Sequence, residues 1–116
     1  MTMPAVRDTN EYFTTLDDRF VPAAARGVSA TFQYDLSGED GGQWYVRVEG
    51  GRLIEIEQGR VERPTLTLHM DADGFVQMTN GDYDGTEAYM VRKLKVQGNV
   101  ALAIRMKQFL PPRQVH

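Results

Sequence analysis

No cysteine occurs in the 116 residues, which excludes disulfides, thiolate metal sites, iron–sulfur clusters and a cysteine nucleophile. Histidine is nearly as scarce, with His69 and His116 alone, and the serines are Ser29 and Ser37. Neither serine has glycines two residues to either side, as a nucleophile elbow needs. A Ser–His–acid triad would have to recruit His69, and no spacing proposes it. Long apolar runs are missing too. Nowhere do eighteen apolar residues follow one another, and the first thirty residues hold no apolar signal core, so neither a membrane span nor a secretory leader is expected. Cations are outnumbered, 13 Lys and Arg against 16 Asp and Glu, for a net charge of −3. That balance argues against a duplex-DNA binder and, more generally, a nucleic-acid partner. Metal ligation is weakly supported: Asp71, Asp73, Asp82 and Asp84 lack the glycine and distal glutamate of a calcium loop, and Asp71 and Asp84 read as helix caps. No metal or cofactor is expected.

What is present is ordinary folding material, 41% hydrophobic and 25% charged residues, of one domain's length over 1–116 with a core of about 8–110. Asp8 and Glu11 have capping-box spacing, and Phe13, Leu16 and Phe20 recur at helical intervals. Pro22 then stops this helix or opens a short second one through Ala25. From Ser29 the period becomes two. Alternation over Ser29–Leu36, Gln43–Glu49, Arg52–Glu57 and Thr65–Met70 predicts four half-buried strands, with Ile54 and Ile56 on the apolar side and Gln33, Asp35 and His69 on a wet one. The strands are joined by the Ser37–Gly42, Gly50–Gly51 and Gln58–Pro64 connections, of which the short ones favour antiparallel hairpins. Asp71 opens a helix to about Asn80, and Asp84 with Glu87 opens another through Tyr89 and Met90. Leu94–Gln97 reads as a fifth strand, and a last helix runs from Asn99 to Pro111–Pro112 with Leu102, Met106, Phe109 and Leu110 in one stripe. The expected class is α+β: two layers, a five-stranded, largely antiparallel sheet with helices on one face.

The apolar residues of the sheet face the apolar residues of the helices, three of the latter being methionines, whose flexible thioethers adapt to variable shapes. Such a set packs into a solid core or around a hollow, and composition does not separate the two. Arg92, Lys93, Lys95, Arg105 and Lys107 form a basic run, read either as a solvated helix end or as a contact for an anionic membrane or a partner.

The C-terminal half carries a familiar text: Leu66-Thr-Leu-His-Met-Asp-Ala-Asp-Gly-Phe75, then Met78-Thr-Asn-Gly81, Ala88-Tyr-Met90 and Lys93-Leu-Lys-Val-Gln-Gly-Asn99. It resembles the sterol carrier protein type 2 family, from about Asp8 to Leu110. The resemblance implies an apolar tunnel between sheet and helices that takes fatty acid, fatty acyl-CoA, phospholipid or sterol without a catalytic residue. Two departures stand out. Arg92 replaces the glycine the family commonly places before Lys-Leu-Lys, so the helix-to-strand turn is expected either to be built differently or to carry strain at a positive φ. The eukaryotic carriers' peroxisomal tripeptide is missing, which leaves a cytoplasmic protein as the expectation.

On this basis the expected ligand wall is Phe32, Trp44, Phe75, Met78, Met90, Leu102, Met106 and Phe109. The last helix is the expected gate, because Pro111–Pro112 would leave its end with few packing partners. The expected partner is a lipid or another hydrophobic small molecule, with transient membrane or enzyme contact, in a monomer or homodimer. The alternative is a ligand-free interaction or dimerisation module acting as an enzyme's partner. An enzyme would need a buried carboxylate, or His69, turned into the hollow.

Overall fold

The computed structural model describes residues 4–113, so His116 lies outside the described residues. Helix α1 (Thr9–Thr14) starts where Asp8 accepts the Glu11 N–H at 2.8 Å. Only half of the expected capping box forms, because the Glu11 carboxylate turns to the backbone N–H and guanidinium of Arg7. The helix is shorter than its apolar spacing suggests. The Thr14 and Thr15 hydroxyls bond back to the Glu11 carbonyl, a local alternative to the helical ladder, and the chain continues as two 3₁₀ turns, Leu16–Asp18 and Pro22–Ala25.

Strands β1 (Ala30–Ser37), β2 (Gly42–Glu49), β3 (Arg52–Gln58), β4 (Leu66–Asp71) and β5 (Lys95–Gly98) form one sheet in the order β3-β2-β1-β4-β5. Three pairings are antiparallel; β1 with β4 is parallel. The Gln58–Pro64 connection is therefore not a hairpin. It leaves the sheet edge at β3 and crosses to β4 on the far side of β1.

That crossover corrects the idea of a wholly wet outer face. Gln33 points outward, as its phase predicts, yet is 1% exposed. Its Nε2 donates to the carbonyls of Trp44 and Gly59, and its Oε1 accepts the Val61 N–H at 2.9 Å. A polar side chain is buried here without penalty because three backbone groups satisfy it. Ile54 is a second correction. The register slips between Arg47 and Val48, so Leu53 rather than Ile54 lies opposite Val48. A one-residue slip reverses the faces, and Ile54 is left 48% exposed.

Helices α2 (Ala72–Thr79), α3 (Gly85–Met90) and α4 (Val100–Phe109) follow, each with an N-cap side chain: Asp71 to the Gly74 N–H, Asp84 to Thr86 and Asn99 to Leu102. Between sheet and helices, one half of the interior is solid. Phe13 stacks on Trp44 (4.6 Å, 11°) and lies against Tyr12, Tyr34 and Phe75, while Phe109 joins Phe20 to Phe32.

The segment with the family-like text is mostly backbone engineering. Arg92 sits at φ 65°, so of the two ways this turn could be made the chain takes the one at positive φ. Gly98 closes β5 so near its neighbour that a Cβ would stand 2.5 Å from the Thr65 carbonyl oxygen, and Asn99 caps α4.

Candidate functional site

The other half of the interior is not filled. A cleft of about 640 Å³ opens beyond β4 and β5, a volume within the range of about 300–1,000 Å³ typical of small-molecule sites. Its floor is Tyr34, Leu68 and Val96 of the sheet with Phe75 and Tyr12. Met78, Leu94 and Met106 form inner walls, Tyr83 and Tyr89 one lip, and Val100, Ala103 and Ile104 the other. Leu110–Arg113 closes one side. The helix α4 residues follow i, i+3, i+4, with Lys107 at i+7: one full helical face turned to the cleft.

Of the eight residues expected in a ligand wall, the structure brings three to this cleft: Phe75, Met78 and Met106. Phe32, Trp44 and Phe109 lie in the solid half of the interior, each within a ring cluster. Leu102 packs against the buried core and lies off the cleft lining. Met90, at the end of α3, is 75% exposed. The sequence reading passed over Val100, Ala103 and Ile104, although their spacing is a second apolar stripe on α4 beside the one formed by Met106 and Phe109. The end of α4 is also better held than expected of a gate. The Phe109 carbonyl accepts the Val21 N–H at 2.8 Å, and beyond the prolines the Arg113 N–H donates to the Thr79 carbonyl.

The site's polar chemistry is sparse. Burial pushes the phenols of Tyr12 and Tyr34 above their ordinary pKa, with Arg19 pulling Tyr12 part of the way back. Both stay protonated near neutrality. The Tyr34 hydroxyl is fully buried and has no hydrogen-bond partner among the described residues. An unsatisfied hydroxyl destabilises the fold, so Tyr34→Phe is expected to raise the stability of the ligand-free protein by about 1 kcal/mol, read by thermal or urea denaturation; a loss would mean that the hydroxyl has a partner in solution. At the cleft edge, Lys107 reaches the Asp84 carboxylate at 3.3 Å and the Thr86 hydroxyl. The Asp84 carboxyl is held below its ordinary pKa, first by the Thr86 N–H and then by Lys107. Its contribution to stability is therefore present above the unfolded-state value and lost as pH falls through the folded one.

The titratable pair Asp35 and His69 lies on the opposite face of the sheet. His69 Nδ1 is 3.5 Å from Asp35 Oδ2, and its Nε2 is 2.9 Å from Gln97 Oε1. The pair lines a separate groove of about 440 Å³ with Lys93 and Lys95, and neither residue lines the apolar cleft. Among the described residues no group of three or more His, Asp or Glu side chains could hold a metal ion, and no helix is long and apolar enough to cross a membrane.

Comparison with known proteins gives this geometry its relatives. The family model described as the SCP-2 sterol transfer family matches residues 10–111. Hydroxysteroid dehydrogenase-like protein 2 of Mus musculus is 35% identical over 102 residues, covering 86% of this chain and 20% of that protein. The chain thus spans about a fifth of the length of that relative. Among solved structures, palmitated SCP2L2 from Aedes aegypti superposes with a TM-score of 0.68 at 18% identity, over 92% of this chain and 94% of that one. A sec-alkylsulfatase from Pseudomonas superposes with a TM-score of 0.71 at 16% identity, over 85% of this chain but 16% of that one. These two share the fold.

Proposed function

The chain belongs to the SCP-2 sterol transfer family, and on that premise we propose that it is a non-catalytic carrier or binding domain whose cleft holds the aliphatic part of a long-chain lipid. The observation that carries this reading is the cleft itself: about 640 Å³ of unfilled, largely apolar space between sheet and helices. Removing a chain from water contributes about 0.8 kcal/mol per methylene. For ~14 methylenes this is roughly 11 kcal/mol gross, against an association cost of at least ~4 kcal/mol. The net corresponds to a dissociation constant in the micromolar range or weaker, which suits cargo that must also be released. The family name and the palmitate of the Aedes aegypti structure leave acyl chain and sterol as the two ligand classes to try first. Where the wall is concerned, Phe75, Met78, Ala103 and Met106 are the residues we assign to it.

Titration with a fluorescent fatty acid, followed by displacement with unlabelled palmitate or a sterol, tests the proposal. Saturable binding with displacement is expected; no saturable signal with any acyl or sterol ligand would overturn it. Native mass spectrometry of protein purified without delipidation addresses the second reading, a ligand-free module beside an enzyme. That reading has one observation in its favour: the chain's matches in both the mouse relative and the alkylsulfatase are parts of much longer proteins. Added lipid mass favours the carrier, and a clean dimer without it favours the module.

A further inference from the structure

We infer that Tyr34 is a specificity-determining residue of the cleft: its buried hydroxyl donates a hydrogen bond to a neutral oxygen, hydroxyl or carbonyl, that a hydrophobic ligand carries inward to the cleft floor. The inference rests on the carrier reading and adds to it the ligand's chemical class and its orientation, polar end first.

Two buried side-chain polar atoms lack a hydrogen-bond partner among the described residues, Asp35 Oδ1 and the Tyr34 hydroxyl. Asp35 lies on the opposite face of the sheet, where its other oxygen stands 3.6 Å from Arg60 and 3.5 Å from His69. Tyr34 belongs to the cleft. It lies opposite Leu68 in the β1–β4 register, and both residues line the floor. A buried hydroxyl without a partner is uncommon and needs a reason. Packing does not supply one: the Tyr34 ring makes edge contacts with Phe13 and Phe75, centroids 5.0 and 5.8 Å away, and a phenylalanine ring would make the same contacts. The oxygen therefore weakens the empty domain, and a ligand that accepts its proton removes that penalty on binding.

The other polar groups of the lining point to a neutral acceptor. The Thr79 hydroxyl donates to the Val76 carbonyl, and Asp84, Thr86 and Lys107 bond to one another at the edge. Lys107 and Arg113, the cations of the lining, stand at that edge and at the closing side. Arg19, buried over the Tyr12 ring, is not part of the lining. A carboxylate carried to the floor would be a buried charge without a counter-ion, far costlier than a buried hydroxyl or carbonyl. Tyr12 shares the floor and lies near enough for its charge to act on Tyr34, so its phenol oxygen can accept the proton of a ligand hydroxyl. A fatty acid therefore enters tail first and leaves its carboxylate at the mouth, whereas a long-chain alcohol or a sterol enters with its hydroxyl leading. Contact with the Tyr34 oxygen needs a neighbour to give way, and the cleft walls hold Met78 and Met106, whose thioethers repack readily.

The test is displacement of a bound fluorescent fatty acid from the wild type and from Tyr34→Phe. The competitors are two matched pairs, 1-tetradecanol with 1-chlorotetradecane and cholesterol with 5-cholestene, and palmitate. Taking the ratio between the two proteins compound by compound cancels differences in aqueous solubility. Tyr34→Phe should weaken the oxygenated member of a pair about tenfold and leave its hydroxyl-free partner and palmitate unchanged. Such a loss in both pairs supports the anchor; a loss in one pair supports it and identifies alcohol or sterol as the source. Equal ratios for all compounds overturn it, as does a palmitate loss matching that of the alcohol. A Tyr34→Phe protein less stable in urea than the wild type also overturns it, because the hydroxyl would then be partnered before any ligand arrives. Failure of the dye to bind the wild type saturably overturns the carrier reading and the anchor with it, whereas saturable dye binding with equal ratios overturns the anchor alone.

Discussion

Ala103→Trp is expected to weaken lipid binding about 100-fold or more while leaving the protein folded. Ala103 is half-buried on the cleft-facing side of α4, so an indole built there projects into space that no side chain now occupies. If it displaces the equivalent of four methylenes of ligand, the loss is about 3 kcal/mol, or two orders of magnitude in affinity. Tryptophan costs a helix only a few tenths of a kcal/mol relative to most residues. Ala101→Trp is the matched control: the same helix and substitution at an exposed position outside the cleft. Binding lost in the first variant and kept in the second would place the ligand between α4 and the sheet. Equal affinity in both would mean that the cleft is not where the ligand sits.

The second large effect concerns the filled half of the interior. Phe13→Ala should destabilise the domain by about 3–5 kcal/mol, a large part of the ~5–15 kcal/mol expected for a whole domain. Phe13 is 1% exposed and touches four other rings, Tyr12, Tyr34, Trp44 and Phe75, with centroids 4.6 to 5.9 Å away. No single neighbour can collapse into the vacancy, because the same rings are fixed to three elements: α1, α2 and the sheet. Urea denaturation measures the change, and Phe13→Leu should lose much less. A loss below about 1 kcal/mol would show that the cluster repacks.

Much of this architecture was legible in the residues. Period-two alternation located four strands, and the caps Asp8, Asp71, Asp84 and Asn99 marked helix starts because their side chains must lie where free N–H groups are. The Lys93–Asn99 text was the most specific, and its reason is mechanical: a left-handed turn at Arg92 leads into it, and it ends on a glycine set against a neighbouring carbonyl, Gly98, and a helix cap, Asn99. What escaped the reading depends on contacts distant in sequence. The crossover that buries Gln33 and the slip that exposes Ile54 are properties of pairing, not of local pattern.

The candidate site was less legible than the fold for a related reason. Apolar phase says that Phe32, Phe75 and Met106 all turn inward, but not which of them meet other rings and which meet empty space. Only packing divides the interior into a solid half with Phe13, Trp44 and Phe109 and a hollow half with Phe75, Met78 and Met106. Met90 shows the limit of reading a one-turn helix by its spacing. With six residues, α3 has too few turns to define a face, and its last side chain points to solvent.

The near-parallel pile of Trp44, Phe13 and Phe75, with successive ring centroids 4.6 and 5.9 Å apart, has a practical corollary for spectroscopy. The lone indole is shielded from an incoming tail by two intervening benzene rings, so its ultraviolet emission should track melting and stay nearly silent during loading. A single cuvette then offers two independent channels, intrinsic glow for integrity and an added dye for occupancy.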